Sequence, residues 1–463
     1  MSGHGERDWR GALSRGLALA VLLFAIWVLR AIDPAPIPGA AETLNLGILL
    51  LTAFIGGQVA NRLGLSRVTG YIIVGLVIGP SVLGFLSDSE VKDLRPFSGL
   101  AIALIALTAG GELNLRRLRG SYRSLISITL VQTATILLFV GAAVILLRSY
   151  LPFTEGRSWN VVLAVAIVFA AIAVASSPSV AIAVITDTKS KGPVSTTVLG
   201  VTVLKDVLVI ILFAIALSAT YSLVEPGAAR EGVVFDLVRE VGGSMVGGVV
   251  VGLVIAAYLR WVNQHLVLFT IALAWIMVEI AAMLHLELLL MALTAGFAVE
   301  NLLPVEGTRF VDALEAASLP LYAVFFSLAG ASVHLAELAE VWVWAFILVG
   351  VRALAIFLGT NWGGRIGGSP DTVRRTSWSA FISQAGVALG MAELLSREFP
   401  TWGAELYGFF VGMVAVHELV GPVMAKWSLD RAGEVGAAAG QGSGEGESSG
   451  RRSSTGREAT AEG

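Results

Sequence analysis

The chain has 463 residues, 56% of them hydrophobic and 14% charged, with a mean hydropathy of +0.81 and a net charge of -3. That composition excludes an ordinary soluble domain and points to a polytopic membrane protein. The near-neutral charge gives no reason to expect nucleic acid, and the absence of cysteine excludes disulfides, thiol catalysis and thiolate metal sites.

The apolar runs are about 18 to 28 residues long, which suits helices and not barrel strands, so the expected fold class is an all-α membrane bundle. In chain order the runs predict spans near 16–31, 44–61, 68–86, 97–115, 124–147, 159–186, 194–220, 239–259, 265–284, 286–302, 316–333, 341–360, 376–396 and 404–425. The total is 13 or 14 transmembrane helices, depending on the first. Arg-containing residues 1–15, the run LALAVLLFAIWVL and the small residues before Glu42 also resemble a cleavable signal sequence, so 1–43 is read as a cytoplasmic N-terminus with an extra helix, or as a signal. Residues 44–431 form the membrane domain, and the Gly/Ser/Glu-rich 432–463 reads as a disordered cytoplasmic tail.

Basic residues set the orientation. With both termini cytoplasmic, the inside loops receive Arg62 and Arg67, then Arg116, Arg117, Arg119 and Arg123, then Lys189 and Lys191, and later Arg365, Arg374 and Arg375. The outside loops are poorer in basic residues and partly acidic, as in SDSEVKD and HLAELAE. A multi-pass protein of the inner (cytoplasmic) membrane is expected, with the lipid bilayer as its surroundings.

Two pairs of segments echo each other: ALTAGGELNL (106–115) with SLAGASVHL (327–335), and VLKDVL (203–208) with VHELVG (416–421). Each pair lies seven spans apart, and an odd offset reverses direction through the membrane, so these are candidate inverted-topology repeats. Chance likeness between short apolar segments is the competing explanation. Repeats of this type carry helices broken near the midplane at corresponding places. Pro178, flanked by Ser176, Ser177 and Ser179, can open the sixth span, and Ser383, Gln384 and Gly386 occupy the comparable place in the thirteenth. A proline kink and a small-residue packing face are the bland alternatives.

An ionisable residue near a helix centre costs about 2.5 to 3.5 kcal/mol on insertion scales, so each needs a partner or a task. Asp206 lies about twelve residues into its span, out of snorkelling reach of the interface. Its carboxylate is the candidate to exchange a proton for a hard cation, with Ser176, Ser177 and unwound carbonyls as further oxygen ligands. A structural ion pair with Lys205 is the alternative. Arg352 is the second deep charge, read as a fixed counter-charge near the crossing of the broken helices, or as a cap on the carbonyls they free. Glu279 and Glu418 are read as structural pairing residues and Glu112 as interfacial.

Together these residues resemble the monovalent cation:proton antiporter superfamily, especially its bacterial sodium/proton exchanger and glutathione-regulated potassium-efflux branch. GGQVANRLGLSRVTGYIIVGLVIGPSVLG (56–84) is similar to the family's early glycine signature, and ALTAGGELNLRRLR, ASSPSVAIAVI, VLGVTVLKDVLVIILFAI, LTAGFAVEN, LPLYAVFFSLAG and SQAGVALGMAELL follow in the family's order. The resemblance covers about 45–428. It implies a homodimer in which a scaffold holds a mobile core, two broken helices crossing at the ion site, and alternating access. It further implies that Asp206 is the essential carboxylate, that Ser176 and Ser177 lie at the break beside it, and that Arg352 matches the family's buried basic residue.

Lys205 departs from the pattern, because relatives carry an acid or an amide immediately before the essential aspartate. At about 4 Å and an effective dielectric near 20, its coupling to Asp206 would be on the order of 4 kcal/mol, enough to weaken attraction for a cation. Alternatively Lys205 gives up its own proton when a cation arrives. The expected function is exchange of Na+ or K+ for protons, with Asp206 contacting the transported ion. A gated cation pathway, or a membrane sensor or scaffold with lost exchange, are the alternatives that Lys205 raises. No cofactor is implied, and with no HExxH or nucleophile motif and only scattered histidines, a membrane-embedded enzyme is disfavoured.

Overall fold

The computed structural model describes residues 40–114, 120–224, 231–262, 264–302, 304–333 and 335–437. The expected first span, the possible signal and the tail beyond 437 lie outside these residues. Among the described residues all regular structure is helical: α1 (Ala40–Arg62), α2 (Arg67–Ile78), α3 (Asp88–Asp93), α4 (Arg95–Glu112), α5 (Tyr122–Leu146), α6 (Trp159–Ala173), α7 (Pro178–Asp187), α8 (Pro193–Val224), α9 (Glu231–Trp261), α10 (Leu266–Leu284), α11 (Leu288–Leu302), α12 (Pro304–Ala331), α13 (Leu335–Ile366), α14 (Asp371–Thr376), a 3-10 turn (Ser377–Phe381), α15 (Gly386–Glu398) and α16 (Gly403–Ala432).

Eight helical stretches in the described residues are long and apolar enough to cross a membrane. A ninth crossing is a pair bent by 47°, Asp371–Phe381 with Gly386–Glu398, and four shorter apolar helices complete the bundle. These correspond one for one to the second through fourteenth predicted spans. The third span is shorter than expected: α2 stops at Ile78 because Gly79 turns extended ahead of Pro80, which has no N–H to continue the ladder.

The helices sort into two bundles. One is built from α1, α2, α4, α9, α10, α11 and α12, with extensive packing of α4 on α11, α9 on α11 and α12 on α2 and α4. The other contains α5, α6 to α8, α13, the 3-10 turn, α15 and α16, centred on α5 against α13 and α6 against α8. Glycine makes the closest approaches in the first bundle possible. A Cβ on Gly75 would lie 1.9 Å from the Ser327 carbonyl oxygen and one on Gly330 2.1 Å from that of Ile72, which locks α2 to α12. Contacts between the bundles are sparser, chiefly α8 with α9, α7 with α2 and α4, and α16 with α2 and α12.

Candidate functional site

Both expected breaks are present, and they touch. In the first, α6 ends at Ala173 and α7 begins at Pro178, whose missing N–H costs nothing at the first helical position. Ser177 caps that turn, its hydroxyl accepting from the Val180 amide at 3.4 Å. In the second, the 3-10 turn ends at Phe381 and α15 begins at Gly386. Broken helices leave backbone groups unpaired within the bundle, and here each break supplies partners for the other. The Ser177 amide donates to the Ser383 carbonyl at 2.9 Å, the Ser176 hydroxyl to the Phe381 carbonyl at 3.2 Å, and the Gln384 side-chain amide to the Ile172 carbonyl at 3.0 Å. Gly421 on α16 admits this crossing, since a Cβ there would come within 2.6 Å of the Ser383 Cβ.

Arg352, on α13 and fully buried, closes the remaining account. It donates from Nε to the Ala173 carbonyl at 2.8 Å, from Nη2 to that of Ala175 at 2.6 Å and from Nη1 to that of Ile382 at 2.6 Å. Its Nη1 also lies 3.3 Å from His417 Nε2. Of the two roles read for it in the sequence, capping carbonyls freed by the breaks is the one its contacts display, and it serves both breaks at once.

Lys205 and Asp206 go separate ways, as a 100° step around α8 allows. The Lys205 ammonium, fully buried, donates to Gln132 Oε1 at 2.6 Å and to the Ser176 hydroxyl at 3.0 Å, with its nitrogen 5.9 Å from the centre of the Phe381 ring. Gln132, on α5, is oriented in turn by donating to the Thr360 hydroxyl at 2.7 Å, which donates to the Ile356 carbonyl. The Asp206 side chain is only 6% exposed, and neither of its oxygens has a hydrogen-bond partner. The alternative of a Lys205–Asp206 ion pair is therefore absent, and the Ser176 hydroxyl is engaged by Lys205 and Phe381, not by Asp206. Ser383 Oγ and Gln384 Oε1 are likewise buried without partners. Each of these side chains offers oxygen, the donor type that suits a hard cation.

A cavity of about 630 Å³ lies between the bundles. It is lined by Ser176, Ser177 and Pro178 at the first break, Ala385 and Gly386 at the second, Ile210 and Phe213 of α8, and the carboxylates Glu240, Glu287 and Glu418. Ile210 and Phe213 follow Asp206 by four and seven residues, so the aspartate is on the same side of α8 one turn earlier, buried behind the cavity wall and not itself lining it. Val91, Ser98, Ser332 and Val333 also line it, which places its opening toward the face carrying residues 87–94. At the opposite face the bundles are clasped: the Arg67 amide donates to Asp187 Oδ2 at 2.7 Å, its guanidinium Nε lies 3.5 Å from Asp187 Oδ1, and Lys426 donates to the Gly64 carbonyl at 2.6 Å.

Two sequence readings need correction. Glu279, expected to be paired, is exposed on α10 with no hydrogen bond or ion pair among the described residues, close enough to the helix end to reach the interface. Glu418, also expected to be paired, lines the cavity instead. Gln132, Thr360 and Glu287 were not singled out at all. Gln132 and Thr360 are neutral residues in spans without breaks, and Glu287 sits at the edge of its span, where a carboxylate carries no signal.

Comparisons with known proteins follow the same lines. The profile of a family described as "Sodium/hydrogen exchanger, transmembrane" matches residues 49–431. The Na(+)/H(+)-K(+) antiporter GerN of Bacillus cereus is 32% identical over 175 residues, 38% of this chain and 42% of that protein. The probable Na(+)/H(+) antiporter GerT of Bacillus cereus is 30% identical over 175 residues, 38% of this chain and 43% of that protein. The chain thus spans about two fifths of the length of the curated relatives it matches. The structure of the sodium proton antiporter MjNhaP1 from Methanocaldococcus jannaschii superposes with a TM-score of 0.62 at 16% identity, covering 85% of this chain and 98% of that one.

Proposed function

Because the chain belongs to the sodium/hydrogen exchanger family, we propose that it exchanges a monovalent cation, Na+ or K+, for protons across its membrane by alternating access. The observation that carries this reading is Asp206, a carboxylate with both oxygens unpaired beside a cavity that stops at two crossing helix breaks. In the state described, a cation enters from the face carrying residues 87–94 and displaces a proton from Asp206. The unpaired oxygens of Ser383 and Gln384 and the unwound carbonyls near Ser176 and Ser177 replace part of its hydration. Arg352 is occupied by carbonyls of both breaks, so it holds the crossing rigid and does not carry the proton. The bundle containing α8 then moves against the other, which opens the site to the face of Arg62 and Arg67.

Lys205 supports a role in setting the charge moved per cycle: its amino group donates to the Ser176 hydroxyl at 3.0 Å while leaving Asp206 unpaired. A homodimer built on the bundle of α1, α2, α4 and α9 to α12, with the C-terminus cytoplasmic, completes the proposal. The test is uphill cation uptake into liposomes driven only by an opposing pH gradient. Exchange accumulates Na+ or K+ against its gradient, whereas a gated cation pathway only dissipates it.

A further inference from the structure

Glu418 is a carboxylate deep in the membrane that the exchange mechanism above does not use. It sits near the middle of the 30-residue α16, half-buried, with no hydrogen bond or ion pair among the described residues. A carboxylate at that depth needs a partner or a task. Val411, Val414, Ala415 and Glu418 line the cavity at helical spacing. Gly421, three residues on, abuts Ser383 at the crossing of the breaks, and Lys426 reaches the clasp on the closed face. α16 therefore runs from the cavity to the clasp, and Glu418 is the last of its lining residues, at the closed end, about one turn short of the crossing. Glu240 and Glu287 line the same cavity but are placed differently. Glu240 is the second residue of the apolar stretch Arg239–Trp261, and Glu287 precedes α11, where its side chain accepts from the Leu289 and Leu290 amides. Both stand at the ends of apolar stretches, where a carboxylate reaches water, and Glu287 already serves as a cap.

The echo between the two repeats is an independent observation on the same residue. VLKDVL and VHELVG set Lys205 against His417 and Asp206 against Glu418. In the structure the first member of each pair turns to the crossing. Lys205 donates to Ser176 at the first break, and His417 Nε2 lies 3.3 Å from Nη1 of Arg352, which holds the Ile382 carbonyl at the second. The second member of each pair is a carboxylate without a partner among the described residues. The two differ in access: Asp206 is buried behind the cavity wall, whereas Glu418 is part of it. An ion that enters the cavity meets Glu418 at the closed end and does not meet Asp206 there.

We infer that Glu418 is an entry subsite for the transported monovalent cation, where the carboxylate holds the partly hydrated ion at the end of the cavity before it passes behind the wall to Asp206. Its place on α16 puts it in the same bundle as Asp206, so the two stops on the path travel together. The inference rests on the exchange reading above and adds to it a carboxylate that the ion meets first.

The experiment measures the apparent KM for Na+ and for K+ at the face of residues 87–94, in liposomes, for the wild type, Glu418→Gln and Glu418→Asp. Gln keeps the size without the charge, and Asp keeps the charge. Glu418→Gln should raise the KM about tenfold, the effect of removing one charge at roughly 6 Å from the ion in an effective dielectric near 40. The maximal rate should stay within about threefold, since an interaction made on entry acts on binding more than on the later step. Glu418→Asp should lie nearer the wild type than Gln does. An unchanged KM in the Gln variant, a fall in maximal rate alone, or an Asp variant as impaired as Gln would each overturn the inference. Because the chain has no cysteine, Glu418→Cys supplies a second test. A membrane-impermeant, negatively charged methanethiosulfonate added at that face should lower the KM of this variant, and a positively charged one should raise it. Shifts of the same sign, or no mass increase of the protein with either reagent, would contradict a charged group at the end of the cavity. Loss of exchange in the wild type would instead contradict the functional reading and leave the labelling of Glu418→Cys unaffected.

Discussion

Lys205 is a buried ammonium with neutral partners. In a hydrocarbon-like interior such a group is held by its hydrogen bonds, and removing an acceptor leaves an uncompensated charge. Gln132→Leu should therefore lower stability by about 3 kcal/mol or more, read as a drop in thermal midpoint in detergent. Adding Lys205→Met should recover most of that loss, because the charge is then gone along with its acceptor. A double variant as unstable as the single one would contradict the assignment. Asp206 was legible from the sequence because a lone carboxylate twelve residues into an apolar run has no bland explanation within its own helix. The destination of Lys205 was not legible: adjacency in sequence suggested coupling to Asp206, whereas the helical step turned it toward α5, and nothing in that span announces Gln132 as an acceptor.

At the level of elements, the two breaks were readable because Pro178 and the Ser383–Gly386 segment interrupt runs that are otherwise mainly apolar. Their mutual pairing was not readable, since Ser177 meets Ser383 across more than two hundred residues of chain. The crossing depends on Arg352, whose planar fork satisfies three carbonyls; lysine offers one point of donation and cannot span them. Arg352→Lys should cost about 3 kcal/mol or more, since bonds to charged groups are worth roughly 1.5 to 3 kcal/mol each, and thermal unfolding in detergent would measure it. In the other bundle, the early glycine signature acquires a mechanical meaning. Gly75→Val should prevent α2 from seating on α12, because its Cβ would collide with the Ser327 carbonyl, and yield of folded protein is the readout.

For the whole molecule, eight helices and one bent pair among the described residues are long and apolar enough to cross, and four shorter apolar helices lie at the other predicted spans after the first, because hydropathy and length are strong signals in lipid; the division into two bundles was invisible to them. That division matters for transport. The bundles part around the cavity on one face and are clasped on the other through Arg67, Asp187, Lys426 and Gly64. Asp187→Asn weakens the clasp and should shift the population toward the opposite opening by a few-fold, in keeping with an ion pair worth roughly 1 kcal/mol. The natural absence of cysteine provides a clean readout: a single Ser332→Cys reporter on the cavity wall should react more slowly with a membrane-impermeant thiol reagent when Asp187 is also changed. Unaltered labelling would separate the clasp from the cavity.

The account as a whole turns on Asp206 as the group at which cation and proton exchange places. Simultaneous recording of proton and cation flux in liposomes, for the wild type and Asp206→Asn, tests it most directly. Opposed fluxes of Na+ or K+ and protons in fixed ratio in the wild type, both abolished in a folded Asp206→Asn protein, are predicted; coupled flux persisting without the carboxylate would contradict it.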